Sequence, residues 1–272
     1  MDQTNTDTIF LKKGHYLAPC FSTSNFGDFL IGITKYETPV ETGNLHSHEK
    51  PMISFVLHGN NTEVRRGKMI ERTTGCTNYY SAHEQHRNIY NRFPARHVSI
   101  EFEYDFLKKY EYTEEQVELA VKKSYDAIFT FIKLMKEAHV NDAQSKSTAE
   151  MLFLSFMGNS LSSNNDTQIP SWMKSVRDIL NDRWNENLSL KELAENVNIH
   201  PTTISKHFKR YFQSTLGEYT RKLKVTRSID ILHSSNCSLT EISYICGFSD
   251  QSHFTRTFKS MTGYLPKDYI KL

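Results

Sequence analysis

The sequence lacks the segments that direct a chain to a membrane or across one. Its first sixteen residues, MDQTNTDTIFLKKGHY, contain no apolar core of a signal peptide, and no stretch approaches about 18 uninterrupted apolar residues. Cysteine is scarce: 4 occur in 272 residues, without a C-x-x-C pair, which excludes a disulfide-rich secreted domain. We therefore expect a cytoplasmic protein with inert thiols and no membrane partner.

Signatures of the common enzyme classes are also missing. The chain has no G-x-S-x-G nucleophile turn, no phosphate-binding P-loop and no dinucleotide fingerprint. A length of 272 residues allows two domains, each with its own hydrophobic core. We therefore predict a two-domain protein that is not an enzyme.

The formal net charge is only +2, but the charge is unevenly distributed along the chain. From Pro170 to Leu272 the sequence has 15 Lys/Arg and 10 Asp/Glu, whereas the remainder has 18 and 21. The C-terminal part is therefore net +5 and the remainder net −3. A basic excess of this kind suits the binding of phosphate.

An internal repeat occupies the basic C-terminal part. SLKELAENVNIHPTTISKHFKRYF (Ser189 to Phe212) recurs as SLTEISYICGFSDQSHFTRTFKSMT (Ser238 to Thr262), offset by 49 residues before the turn and by 50 after it. In each copy a serine with a glutamate three residues later predicts a capped first helix, and a turn separates it from a second helix. The pattern predicts two helix-turn-helix units.

The turns and the connection between the copies support this prediction. Asn198 and Gly247 stand where the first helix of each copy ends, a position that favours a left-handed backbone, and Pro201 suits the start of the next helix. Residues 216–234 are expected to form one connecting helix with an apolar inward side. Its basic side chains are expected to face outward: Arg221, Lys222, Lys224 and Arg227.

The second helix of the second copy has a polar side suited to contact with DNA. Phe254, Phe258 and Met261 mark its buried side. The opposite side, which includes Arg256, offers amide, hydroxyl, imidazole and guanidinium groups, and no carboxylate follows Asp250 in this helix. Such a surface can read base edges.

The repeat resembles the tandem helix-turn-helix domain of the AraC/XylS family of bacterial transcription regulators over residues 170–272. The features at the signature positions of that family are the Gly247-Phe248-Ser249 turn, the run from Thr255 to Lys259, and Thr262, Gly263, Pro266 and Tyr269. The resemblance implies that the second helix of each unit enters a major groove of double-stranded promoter DNA. It also implies a regulator that responds to a small-molecule effector, works with RNA polymerase, and activates more often than it represses.

The resemblance assigns the contacts with DNA position by position. The residues expected to read bases are Thr202, Ser205 and Lys206 in the first unit and Gln251, Ser252, His253 and Arg256 in the second. Arg256 is the strongest candidate, because a guanidinium can bond both acceptors of guanine. Lys209, Arg210 and Lys259 are expected to hold phosphate. Thr202 departs from the bulkier residue often found at its position.

The sequence before the repeat favours strands and then helices. Five short β-favouring runs lie between Phe29 and Tyr104 and alternate with turn residues such as His58-Gly59-Asn60-Asn61, which predicts a small β-barrel. Helical patterns follow at residues 124–139 and 147–161, and the polar run SSNNDTQIP at 162–170 predicts a domain boundary. The second of these helices has almost no polar side. It is therefore expected either to join two copies in a homodimer or to pack on its own barrel.

Two histidine motifs lie in the β-favouring region. His46 and His48, at i and i+2, point to the same face of an extended segment, and Gly43, His46, His48 and Gly59 resemble the first cupin motif, as Gly75 and His86 resemble the second. Met52 or Ile53 stands in place of the usual glutamate ligand, and Ser81 and His83 replace a proline and a glycine. Three histidines could still bind Zn²⁺, Fe²⁺ or Ni²⁺. Because sensory domains of this family often have no metal, we expect a polar-lined barrel without a certain cofactor.

These observations predict an α+β protein in three parts: a cupin-like β-barrel sensing domain over 1–105, a helical linker over 106–167, and an all-α tandem helix-turn-helix domain over 168–272. Its predicted function is sequence-specific regulation of transcription. Two alternatives stay open: a metal-dependent cupin enzyme fused to a DNA-targeting module, and a helix-turn-helix pair that docks proteins. The missing glutamate ligand disfavours the enzyme.

Overall fold

The computed structural model describes residues 8–37, 43–90, 93–124, 126–161 and 169–272. The chain divides into two compact units, residues 1–162 and 163–272. Among the described residues, the first unit holds the strands and four helices, and the second unit is entirely helical. The predicted α+β class is therefore confirmed. The three-part division at 105 and 167 stays a prediction, and residue 167 lies outside the described residues.

The first unit contains two five-stranded sheets. The strands are β1 (Ile9–Leu11), β2 (Cys20–Asn25), β3 (Phe29–Tyr36), β4 (His46–His48), β5 (Met52–His58), β6 (Asn60–Arg65), β7 (Lys68–Thr73), β8 (Thr77–Tyr80), β9 (His86–Tyr90) and β10 (Ala95–Phe102). One sheet has the order β1-β4-β9-β6-β7, and the other has the order β2-β3-β10-β5-β8. The predicted β-barrel is not closed, because no described ladder joins a strand of one sheet to a strand of the other. The two sheets are held together by the buried side chains that fill the space between them.

The five β-favouring runs become β3, β5, β7, β8 and β10, and the structure adds five strands that are short or polar. Asn60 and Asn61, which the sequence assigned to a turn, begin β6. Asn61 is buried, and its side-chain amide donates to Asn88 Oδ1 at 2.7 Å. A cross-strand partner of this kind overrides the low strand propensity of asparagine, which is what the turn prediction rested on.

Four helices follow the strands. They are α1 (Tyr104–Lys109), α2 (Glu114–Lys123), α3 (Ala127–Val140) and α4 (Ser145–Leu161). The helix α4 buries its aromatic side within its own unit: the Phe153 ring lies 5.0 Å from that of Phe102, and the Phe156 ring lies 5.3 Å from that of Phe131. Met151, on the other side of α4, is 71% exposed.

The second unit contains the predicted repeat. Its helices are α5 (Ser171–Asp182), α6 (Leu190–Val197), α7 (Pro201–Phe212), α8 (Leu216–Ser234), α9 (Leu239–Ile245), α10 (Gln251–Thr262) and α11 (Pro266–Tyr269). Ser189 and Ser238 cap α6 and α9 in full capping boxes, and Asn198 and Gly247 have left-handed backbones with φ of 52° and 68°. The two helix-turn-helix units, α6-α7 and α9-α10, are confirmed.

The connecting helix α8 packs on both helix-turn-helix units, because it contacts α7 as well as α9 and α10. Its Tyr219 belongs to the core of the first helix-turn-helix unit, together with Leu193, Ile204 and Phe208. The expectation that Lys224 faces outward is wrong, since its side chain is buried. Elements pack around α8 on more than one side, so the helical period of α8 alone does not reveal which positions are covered.

No helix among the described residues is long and apolar enough to cross a membrane.

Candidate DNA-binding surface and buried histidine cluster

The helix α7 separates a buried side from a polar side. Ile204, Phe208 and Phe212 are buried in the core of the first helix-turn-helix unit. The predicted contact residues on the other side are exposed: Thr202, Ser205, Lys206, Lys209 and Arg210. These side chains share one surface because they follow the helical period, out of phase with the buried residues.

The helix α10 has the same division. Phe254 and Phe258 are buried, and Met261 is half-buried, while Thr262 is fully buried and donates its hydroxyl to the Phe258 carbonyl at 2.8 Å. The sequence assigned the last turn of the buried side to Met261 alone. Four predicted contact residues are exposed on α10: Gln251, Ser252, Arg256 and Lys259. His253 is half-buried.

The hydrogen bonds that cap the start of α10 do not involve the Arg256 side chain. Asp250 caps the helix: its carboxylate accepts the His253 backbone N–H at 2.7 Å and the Ser249 hydroxyl at 3.1 Å. The hydrogen bond from this N–H holds the pKa of Asp250 below its ordinary value. Among the described residues Arg256 forms neither an ion pair nor a hydrogen bond. The charge of Arg256 also lowers the pKa of Asp250, but less than the cap does, and no direct bond joins the two side chains.

Gln251 and His253 have partners within the protein that the sequence did not reveal. Gln251 Oε1 accepts the Thr240 hydroxyl at 2.6 Å, which ties the start of α10 to α9. The His253 ring packs edge-on against Phe248, with 5.3 Å between ring centroids. Both side chains thus stabilise the turn between α9 and α10, and their role in base reading stays a prediction.

The first unit buries the three histidines that the sequence singled out. His46 on β4 lies directly opposite His86 on β9 in the sheet, and His48 lies two residues along β4 on the same face. One nitrogen of each ring lies within 4.8 Å of the corresponding nitrogens of the other two. The ring centroids of His46 and His86 are 4.2 Å apart. The three imidazoles therefore converge on one point between the sheets.

Hydrogen bonds and burial set the protonation of this cluster. The Nδ1–H groups of His46 and His86 donate to the carbonyls of Asn44 and Glu84 at 3.0 and 3.1 Å, which leaves each Nε2 with a free lone pair. Burial lowers the pKa of His46, and it lowers those of His48 and His86 to about 3 and about 2, respectively, with a further contribution from the neighbouring imidazoles. Neutral imidazoles held by backbone carbonyls are the form that binds a metal ion.

The cavity beside the cluster is small and polar. Its volume is about 30 Å³, and its lining includes Tyr16, Met52, Tyr80 and His97 besides the three histidines. This space holds a water molecule or a metal ion with little else, since one water needs roughly 10–15 Å³ on this measure. The group of converging ligands contains no acidic residue among those the structure describes, in agreement with the missing cupin glutamate.

A charged network behind the cluster escaped the sequence analysis. Arg72 on β7 is buried, and its guanidinium donates to the Tyr80 hydroxyl at 3.0 Å and to the Ser54 carbonyl at 3.1 Å. The Tyr80 ring stacks on His86 at 4.2 Å. Glu63, also buried, lies 3.5 Å from Arg65 Nε. The strand β7 is otherwise exposed, so no pattern in the sequence distinguishes Arg72 from its neighbours.

Comparison with known proteins supports the assignment made from the repeat. A family model described as a helix-turn-helix domain matches residues 193–271. The HTH-type transcriptional activator RhaS from Shigella sonnei is 23% identical over 239 residues, which cover 82% of this chain and 86% of that protein. Its counterpart from Escherichia coli O6:H1 is 22% identical over 241 residues, with the same coverage. The C-terminal part of the chain is therefore a helix-turn-helix domain of the AraC type, and most of the chain is similar to transcriptional activators that carry such a domain. The protein is a DNA-binding transcription regulator rather than an enzyme, and double-stranded DNA is its partner.

Two solved structures are also similar to this protein. ToxT from Vibrio cholerae is 12% identical, with a TM-score of 0.37, over 90% of this chain and 98% of that one. The C-terminal domain of AraT, a response regulator from Geobacillus stearothermophilus, is 21% identical, with a TM-score of 0.37, over 39% of this chain and 88% of that one.

Proposed function

We propose that this regulator activates transcription in response to a ligand that binds between the two sheets of its first unit. The convergence of His46, His48 and His86 on one cavity carries the proposal, since a few buried polar groups that converge in a cavity mark a candidate ligand site. The exposed polar sides of α7 and α10 bind two successive major grooves of a promoter. The names of the RhaS relatives favour activation.

A transcription assay tests the proposed activation directly. Purified bacterial RNA polymerase, a promoter that the regulator binds, and increasing amounts of regulator are combined, and the transcript is quantified. We expect the transcript to increase, because we propose RNA polymerase as a partner that the bound regulator recruits to the promoter. A decrease in transcript would instead indicate a repressor, and no change with full occupancy of the DNA would contradict regulation through polymerase.

A divalent metal ion is the ligand that suits the described cavity best. The three imidazoles are neutral, two of them are oriented by backbone carbonyls, and a space of about 30 Å³ admits an ion without rearrangement. Zn²⁺, Fe²⁺ and Ni²⁺ all accept imidazole ligands. An organic effector the size of a sugar would require the surrounding side chains to move. His46, His48 and His86 would supply three ligands. A bound ion would thereby join the first histidine motif, with His46 and His48, to the second, with His86.

We expect purified protein to bind about one equivalent of Zn²⁺ or Ni²⁺, and His86→Ala to weaken this binding at least about tenfold, because one of three ligands is removed. Competition titration with a chromophoric chelator measures the affinity. His83→Ala is the matched control, since His83 lies three residues away but is exposed. Equal affinity of wild type and His86→Ala would contradict the site.

We expect residues 168–272 alone to bind duplex DNA with a steep salt dependence. Both recognition helices and α8 lie inside this fragment, and several phosphate contacts imply a loss of affinity on the order of 100-fold between 50 and 200 mM salt. Fluorescence anisotropy at four salt concentrations measures the slope. A flat dependence would contradict phosphate binding and favour the protein-docking alternative.

We propose, further, that the regulator is a homodimer with α4 in the contact. Met151, on the side of α4 opposite its buried aromatic residues, is 71% exposed, and Leu154 is half-buried. The free energy falls when a second copy covers a large exposed apolar side chain. Sedimentation that shows only monomer at micromolar concentration would contradict this proposal.

A further inference from the structure

The two helix-turn-helix units touch each other beside α8. The segment between α5 and α6 meets the turn between α9 and α10: Asn185 Nδ2 donates to the Ile245 carbonyl at 3.4 Å. Gly247 lies so close to Asn185 that a Cβ at this position would be 1.7 Å from the Asn185 carbonyl oxygen. We call Asn185, Asn187, Lys224 and Gly247 the inter-repeat contact.

Lys224 lies at the centre of the inter-repeat contact. Its Nζ donates to Asn187 Oδ1 in the segment before α6 and to the Gly247 carbonyl in the turn between α9 and α10, both at 2.7 Å. The side chain is 4% exposed, and Nζ lies 5.8 Å from the centroid of the Phe248 ring. Among the described residues no carboxylate pairs with it. A single ammonium group thus joins the segment before α6 to the turn between α9 and α10.

Packing alone does not account for a lysine at this position. Removing an ammonium group from water without a counter-ion is costly, and an apolar side chain of similar length would fill the same space without that cost. What the lysine adds is direction, because charge-assisted hydrogen bonds require their acceptors at defined distances and angles. Its two acceptors belong to the two halves of the DNA-binding unit, so the lysine constrains their separation.

We propose that Lys224 is a positioning residue that sets the relative placement of α7 and α10 and thereby the spacing of half-sites that the regulator accepts. This inference rests on the proposed docking of α7 and α10 in successive major grooves. One inserted base pair moves the second half-site by about 3.4 Å along the duplex and turns it by about 35°. A rigid pair of units cannot follow such a displacement, whereas a loosened pair can.

The test uses the full chain and a duplex that wild-type protein selects from random DNA, together with copies in which one base pair is inserted or deleted between the half-sites. We expect wild type to bind the altered duplexes at least about tenfold more weakly. Lys224→Met should bind the selected duplex more weakly but discriminate less than about threefold between spacings. Binding to a duplex with one half-site should be unchanged, because each unit keeps its own recognition helix.

A second variant keeps the test informative if Lys224→Met does not fold. Asn187 is exposed, so Asn187→Ala removes the acceptor in the segment before α6 without opening a core, and it should relax the spacing requirement in the same direction. Full spacing discrimination in both variants, with affinity lowered equally on all duplexes, would overturn the role of Lys224. Wild-type protein that ignores spacing would instead contradict the proposed docking of the two helices.

Discussion

Gly247→Ala is expected to disrupt the second helix-turn-helix unit and to abolish DNA binding. The backbone of Gly247 is left-handed, with φ of +68°, and the added Cβ would lie 1.7 Å from the Asn185 carbonyl oxygen and 2.7 Å from its carbon. The conformational strain of a left-handed alanine amounts to roughly 1–2 kcal/mol. The overlap is with backbone rather than with a flexible side chain, so either the turn or the segment before α6 has to move.

Gly67→Ala is a matched control for this variant. Gly67 has nearly the same backbone, with φ of +71°, but a Cβ there would meet no atom within 4 Å. We expect Gly67→Ala to cost about 1–2 kcal/mol in the free energy of unfolding, and Gly247→Ala to cost clearly more, with DNA binding lost. Urea unfolding and anisotropy with duplex DNA measure the two effects. Similar losses in both variants would show that the close approach of Asn185 does not matter.

Arg256→Ala is expected to remove the preference for one base pair in the second half-site and to leave the fold intact. Arg256 is exposed on α10, opposite the buried Phe254 and Phe258, and has no ion pair among the residues described. An arginine bidentate to guanine contributes roughly 1–3 kcal/mol of discrimination, or about 5- to 150-fold in affinity. Titration of wild type and variant against the selected duplex and its single-base variants measures this preference.

Lys259→Ala provides the comparison for Arg256→Ala, because Lys259 lies on the same exposed side one turn later. As a phosphate contact it should weaken binding to every duplex alike and lower the salt slope by about one unit. Thermal unfolding of both variants checks that each keeps its fold. If Arg256→Ala retained full preference at every position, Arg256 would not read a base, and the assignment of the DNA-facing side of α10 would be wrong.

The histidine cluster was predictable in part. The i, i+2 spacing placed His46 and His48 on one face of a strand, as the structure confirms. The pairing of His46 with His86, forty residues later, follows from the order of strands in a sheet, which no local pattern specifies. Arg72 and Glu63 were missed for the same reason, since each lies in a strand whose neighbouring residues alternate or are exposed and gives no sign of its partner.

The sequence by itself determined the tandem helix-turn-helix. Ser189 and Ser238 with their glutamates, the left-handed Asn198 and Gly247, and the helical period are all local, acting within about one turn of helix, so two similar copies are recognisable from residue types alone. Only the tertiary structure decided that Lys224 is buried and that the β-favouring runs form two open sheets. Both outcomes depend on which distant elements cover a given surface, and that information lies in long-range packing rather than in the period of any single helix or strand.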